Sequence, residues 1–81
     1  MFFGIISDTH GFFDSALPEL FAGVDEILHA GDIGKGMVLE KLGAIAPVVA
    51  IRGNIDEKLP TRSLPDKLEI EREGGPIFLT H

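Results

Sequence analysis

Phe2-Phe3-Gly4-Ile5-Ile6-Ser7-Asp8-Thr9-His10 is the stretch that decides the architecture. A short apolar run breaks off at Ser7 and passes at once into a carboxylate and an imidazole. Residues 2–7 read as a strand buried on both faces, as strands of parallel sheets are. The same pattern returns twice. Residues 25–29 (Asp-Glu-Ile-Leu-His) read as a second strand leading into Gly31-Asp32, and residues 48–51 as a third leading into Gly53-Asn54. Two helical patterns lie between them. Asp14 or Ser15 can cap the first, which carries Leu17, Leu20 and Phe21 at helical spacing, tolerates Pro18 in its first turn and stops at Gly23. Met37, Val38, Leu42 and Ile45 predict the second, from near Lys35 to Ala44. A β-α-β-α-β order with short connections belongs to the α/β class, with a parallel sheet and right-handed crossovers.

After Arg52 the pattern changes. Pro60 and Pro65 mark an irregular stretch, and residues 67–72 alternate charged and apolar groups as a half-exposed strand does. Glu73-Gly74-Gly75 makes a turn, and residues 76–80 read as its returning strand, which predicts an antiparallel hairpin. The change after Asn54 is one of topology, not of domain. Eighty-one residues allow one small domain with a marginal core.

Composition removes several function classes. There is no cysteine, which excludes disulfides and thiolate metal ligands. Seven Lys/Arg against thirteen Asp/Glu, a net charge of −6, argue against non-specific nucleic-acid binding. A phosphate substrate stays open, because bound divalent cations reverse the sign of an acidic pocket. The apolar N-terminus lacks a basic leader and is interrupted by Asp8, and no apolar run approaches the ~20 residues of a membrane span. A soluble, cytoplasmic protein is the expectation.

All three predicted parallel strands end in metal-ligand chemistry: Asp8-Thr9-His10, Gly31-Asp32 and Gly53-Asn54. Ligands of open parallel sheets bind at the carboxyl ends of the strands. Neighbouring strands lie ~4.8 Å apart, so groups just beyond three such ends can converge. Aspartate, histidine and asparagine offer mixed oxygen and nitrogen donors, which suit Mn²⁺, Fe²⁺, Zn²⁺ or Ni²⁺ better than Ca²⁺. A carboxylate such as Asp32 can bridge two cations, and a two-metal site can activate water for in-line attack on a phosphoryl group. No Ser or Cys nucleophile is then required.

Ser7-Asp8-Thr9-His10-Gly11, His29-Ala30-Gly31-Asp32 and Gly53-Asn54-Ile55-Asp56, followed by Thr80-His81, resemble in order four motifs of the calcineurin-like metallophosphoesterases. The resemblance is greatest to the small bacterial and archaeal phosphodiesterases of that superfamily, and it spans the whole chain. It implies the N-terminal half of an α-β-β-α sandwich. By it, Asp8 and His10 hold one metal, Asp32 bridges, and Asn54 and His81 hold the second, with Asp32 and Asn54 the catalytic pair. The implied cofactors are two divalent ions, Mn²⁺ foremost, with Zn²⁺, Fe²⁺ or Ni²⁺ as alternatives. The implied activity is hydrolysis of small phosphate esters, as a phosphodiesterase or phosphatase.

The family pattern continues past the position of His81 to a G-H-T-H-like motif whose two histidines complete both metal shells. The resemblance therefore implies that residues 1–81 are a single but incomplete domain, truncated after the fourth motif and impaired in activity by itself. Apolar faces at residues 48–51 and 77–79 would be exposed, and a homo-oligomer or a complementing partner would cover them. Ile55 stands where some branches carry a histidine that protonates the leaving group.

Simpler readings accompany each residue. Asp8 can cap a turn, Asn54 can be an αL turn residue, and His81 can be frayed. His29, inside a strand, reads as a buried residue behind the ligands rather than a ligand. Asp56 reads as a turn or cap carboxylate, or as a partner that orients a ligand. Arg52 reads as a solvated strand-end arginine, or as a group that reaches a substrate phosphate. Phe12 and Phe13 read as core or mouth-lining residues. The competing function is a non-catalytic interaction scaffold of the same fold, as in a retromer subunit. A receiver-type domain fits poorly, since its third strand needs a phosphoacceptor where Asn54 stands.

Overall fold

The structure, a computed structural model, describes residues 2–53, 56 and 64–81. Its elements follow the chain as β1 (Phe3–Ile6), α1 (Leu17–Leu20), β2 (Glu26–His29), α2 (Gly36–Gly43), β3 (Val48–Ala50), β4 (Lys67–Arg72) and β5 (Gly75–Thr80). The irregular stretch expected around Pro60 lies outside the described residues.

The first three strands form a parallel sheet in the order β1-β2-β3. Gly4 pairs with Ile27 and Ile27 with Val48, while Ile5 pairs with Leu28 and Leu28 with Val49. Paired residues share a face, so these two rows point to opposite sides of the sheet. On one side Ile27 joins Leu17, Ile33, Val38, Leu42 and Ala46 in a core under the two helices. On the other, Leu28 and Ile51 pack against Leu79, with Phe3, Val49, Leu68, Ile70 and Ile77 around them. That second layer is the antiparallel hairpin, whose register runs from Lys67↔Thr80 to Arg72↔Gly75. Its inner face carries Leu68, Ile70, Ile77 and Leu79, each apolar residue alternating with an exposed neighbour.

The hairpin is pinned at both ends. Near the turn, Arg72 donates from Nε to Glu26 Oε1 at 2.7 Å and from Nη2 to Glu26 Oε2 at 2.9 Å. At the open end, the Arg52 backbone N–H donates to Pro65 O at 2.9 Å, and its guanidinium grips Asp66 with both carboxylate oxygens engaged. Arg52 is thus ion-paired with Asp66, in a pair that stays exposed to solvent.

Three expectations need correction. The first strand is not buried on both faces. It is the sheet edge, and the hairpin covers Phe3 but leaves Ile5 72% exposed. Among residues 48–51 and 77–79, Ile51 and Leu79 are buried, and the outward-facing Phe78 is the exposed one, at 73%. The first helix is a single turn whose N-cap is Ala16, with no side-chain cap bond. Asp14 still serves that end, its Oδ1 accepting from the Ala16 N–H at 2.9 Å.

The Glu26–Arg72 pair gives a test of hairpin docking. Glu26 is only 6% exposed. The hydrogen bond from Arg72 holds its carboxyl below the ordinary 4.5, with the Arg72 charge adding to that against the cost of burial. A folded-state value below the unfolded one means the unfolded chain binds more protons through this window. The pair's stabilisation is therefore complete above pH 4.5 and is lost as the pH falls through the folded-state value. Glu26→Gln is expected to destabilise by about 1–3 kcal/mol at neutral pH. It should also flatten this acid limb, as read by urea melts between pH 3 and 7.

Candidate metal centre

The loops that follow β1 and β2 run side by side as if the sheet continued. Asp8 N–H donates to Gly31 O at 2.9 Å, His10 N–H to Asp32 O at 3.0 Å and Gly11 N–H to Ile33 O at 2.7 Å. Closeness on this scale leaves no room for side chains between the loops. A Cβ on Gly34, which sits at φ +89°, would collide with the Gly11 backbone. A Cβ on Gly53, at the end of the third loop, would collide with the Asp32 carboxylate. The glycines therefore stand where backbones and carboxylate meet.

Asp8, His10 and Asp32 all lie in the left-handed region, at φ 56°, 50° and 54°. Non-glycine residues seldom occupy it, and each occupancy costs roughly 1–2 kcal/mol. Three such residues within one cluster concentrate backbone strain at the strand ends, where functional sites hold it. Nothing in the sequence announced this conformation for a histidine.

The side chains converge on Asp32. His10 Nε2 lies 3.7 Å from Asp8 Oδ1 and 3.9 Å from Asp32 Oδ2. His81 Nε2 lies 3.1 Å from the same Asp32 Oδ2. Asp8, Asp32 and His81 each offer a ligand atom within 4.8 Å of the others. Asp32 is buried, and the other two are more exposed. The set combines carboxylate oxygens with imidazole nitrogens, which is the donor mixture of first-row divalent metal sites. Asn54 and Ile55 lie outside the described residues. Four of the five residues expected to hold metal therefore come together here.

Hydrogen bonding sets the tautomers. His81 Nδ1 lies 2.8 Å from Ala30 O, so Nδ1 carries the proton and Nε2 faces Asp32. The Ala30 carbonyl is the main reason its pKa rises above the ordinary 6.5, with the Asp32 and Asp8 charges adding to it. Asp8 is held below the ordinary 3.8, first by the Ser7 side chain beside it and then by Asp32, His81 and His10. It is a carboxylate at neutral pH.

His29 is fully buried behind the cluster, as its place inside a strand suggested. Its Nδ1 accepts from the Gly31 N–H at 3.1 Å. Its Nε2–H therefore donates to Thr9 Oγ1 at 3.0 Å, and Thr9 in turn donates to Ile33 O at 2.9 Å. Burial pushes its pKa below 6.5, against the raising charges of Asp56, Asp8 and Asp32. Neutral His29 thus ties the first metal-side loop to the second. Phe13 packs on the helix-side core under Lys41, whose Nζ lies 5.5 Å from the ring centroid, while Phe12 is exposed.

Asp56 is the residue whose role the sequence left open. It is buried at 2% exposure, and its carboxylate accepts from the N–H groups of Ile33 at 3.1 Å, Gly34 at 2.9 Å and Gly53 at 2.8 Å. It joins the loop after β2 to the loop after β3. Spacing alone hides this role, because two of its partners lie 22 and 23 residues away.

Comparison with known proteins fits this geometry. The model of the calcineurin-like phosphoesterase superfamily domain matches residues 1–81. A probable metallophosphoesterase of Methanocaldococcus jannaschii is 44% identical across the whole chain, which covers 43% of that relative. Another, from Methanothermobacter thermautotrophicus, is 39% identical, with 49% of its length covered. The chain thus spans about half the length of the curated relatives it matches. Among solved structures, a Vps29 mutant from Entamoeba histolytica superposes with a TM-score of 0.79 at 20% identity, over 100% of this chain and 48% of that one. A predicted phosphoesterase from Streptococcus pneumoniae gives 0.66 at 24% identity, over 98% and 44%. At those identities the likeness is one of fold. The chain belongs to the calcineurin-like phosphoesterase superfamily.

The tautomers predict a titration order. In the metal-free protein, NMR of the imidazole Cε1–H signals should find His81 titrating above 6.5 and His29 below it. Asp32→Asn should lower the His81 value but leave it raised, because the Ala30 carbonyl bonds Nδ1 and not the nitrogen that faces Asp32. An unaltered His81 titration in the variant would separate it from Asp32.

Proposed function

We propose that this member of the calcineurin-like phosphoesterase superfamily serves a hydrolase of phosphate esters that uses water and two divalent metal ions. The observation that carries the proposal is the clustering of Asp8, Asp32 and His81, with His10 Nε2 and His81 Nε2 at 3.9 and 3.1 Å from the Asp32 carboxylate. Asp8 and His10 would hold one ion, His81 together with Asn54 the other, and Asp32 would touch both. Asp32 and Asn54 are the residues we assign to catalysis. We favour Mn²⁺, with Zn²⁺, Fe²⁺ and Ni²⁺ compatible with the same donors. Bound there, the ions supply Lewis-acid polarisation of the phosphoryl oxygens and lower the pKa of water.

The chain's own residues prepare the site for that chemistry. The Ala30 carbonyl holds the His81 proton on Nδ1, which leaves the Nε2 lone pair for a cation. Ser7 and the imidazoles keep Asp8 ionised. The hydrogen bonds between the first two loops fix the separation of Asp8 from Asp32 before any ligand arrives. Asp66 holds the Arg52 guanidinium beside the groove that also borders Thr80 and His81.

The proposal includes a domain reading. Residues 1–81 form one portion of a metallophosphoesterase domain, in keeping with relatives about twice as long. Exposed Ile5 and Phe78 support self-association or a complementing partner in a cytoplasmic setting. Among the described residues no helix is long and apolar enough to cross a membrane.

Calorimetric titration of Mn²⁺ into the chain and into Asp32→Ala tests the metal assignment. The variant should bind at least about tenfold more weakly, because it loses the ligand shared by both ions. Equal binding would sink the assignment. Mn²⁺-dependent hydrolysis of an aryl phosphodiester by the intact protein, abolished by Asp32→Ala, separates the enzyme from a scaffold of the same fold, which would not hydrolyse the ester.

A further inference from the structure

The geometry points to Asp56 as a positioning residue that sets the two loops carrying Asp32 and Asn54, rather than a turn carboxylate that serves only its own loop. The inference rests on the metal-site reading above. Three facts carry it. Asp56 is buried at 2% exposure, so its carboxylate sits in the interior only because N–H groups surround it. Its donors come from both loops: Ile33 and Gly34, which directly follow Asp32, and Gly53, which directly precedes Asn54. Gly53 is also the residue whose Cβ would strike the Asp32 carboxylate. The second and third loops therefore approach closely at Gly53, and Asp56 spans that contact.

A turn carboxylate would bond within its own loop, as Asp56 does to Gly53 at a separation of three residues. The bonds to Ile33 and Gly34 cross 23 and 22 residues and serve no turn. They hold the peptide planes immediately after Asp32, and with them a residue kept at φ 54°. Charged acceptors make the stronger hydrogen bonds, and donors from two loops sharing one carboxylate must move together. Asp56 thus fixes where the loop of Asp32 stands relative to Gly53, without touching a metal itself.

Asp56→Asn keeps the size and one acceptor oxygen, but turns an amide N–H₂ toward backbone N–H donors. The variant, wild type and Asp32→Asn would be titrated with Mn²⁺ alone, with circular dichroism melts in chelator on the same samples. Folded Asp56→Asn is expected to bind Mn²⁺ about 10–100-fold more weakly, the range typical of residues that orient metal ligands. Wild-type affinity in a folded Asp56→Asn would overturn the inference while leaving the metal site intact. Wild-type affinity in Asp32→Asn would instead overturn the metal-site reading beneath it. Amide hydrogen exchange in metal-free wild type covers the case in which Asp56→Asn does not fold. The N–H groups of Ile33, Gly34 and Gly53 should be protected without metal, and exchange at unprotected rates would overturn the inference.

Discussion

Two carboxylates that cannot move apart are the constraint on which the rest of this structure depends. Asp8 and Asp32 present ligand atoms within 4.8 Å, on loops joined by backbone hydrogen bonds from Asp8 to Gly31, His10 to Asp32 and Gly11 to Ile33. Like charges so close repel, and water at the exposed Asp8 screens part of that. The hydrogen bonds between the loops forbid the simple relief of separation. The imidazoles of His10 and His81 flank the pair. The His81 pKa is raised first by its Ala30 bond and then by the charges of Asp32 and Asp8. The donor set of Asp8, Asp32 and His81 is one that could hold a metal ion.

The parallel sheet brings the loops to one edge, but it does not by itself aim the side chains. That step depends on backbone conformations that cost energy. Asp8, His10 and Asp32 adopt positive φ just beyond the strand ends. The strain persists because neighbours over-determine it. The loops are held by each other, by neutral His29 from beneath through Thr9 and Gly31, and by Asp56 through Ile33, Gly34 and Gly53. Both side chains are buried and hydrogen-bonded, so neither can be withdrawn without leaving polar groups unsatisfied.

Local pattern carried most of the fold. Met37, Val38 and Leu42 sit at helical spacing, and the helix expected between Lys35 and Ala44 is Gly36–Gly43 with those two residues as its caps. The alternation in residues 67–72 and the glycines at 74 and 75 sufficed for the hairpin. Ile5 shows where pattern stops. An apolar run says that a strand is buried, but burial of an edge depends on what lies beside it, and no residue in the run encodes its neighbour. At the candidate site, residue types and order were legible because Asp8, His10, Asp32 and His81 each close a strand or its loop. The positive φ values and the loop-joining bonds of Asp56 were not. They arise from contacts across more than twenty residues, which spacing cannot reveal.

The hairpin links stability to the site. β5 begins beside Arg72, which grips Glu26 at the start of β2, and ends at His81, which bonds Ala30 just past the end of β2. The two strands therefore run the same way, in separate layers, from a structural ion pair to the candidate ligands. Leu28, Ile51 and Leu79 fill the space between them. The position of His81 Nε2 beside Asp32 is thus set by packing along the whole length of β5, not by the histidine's own loop. The same apolar layer that stabilises the fold is what makes a residue 49 positions away from Asp32 part of one site.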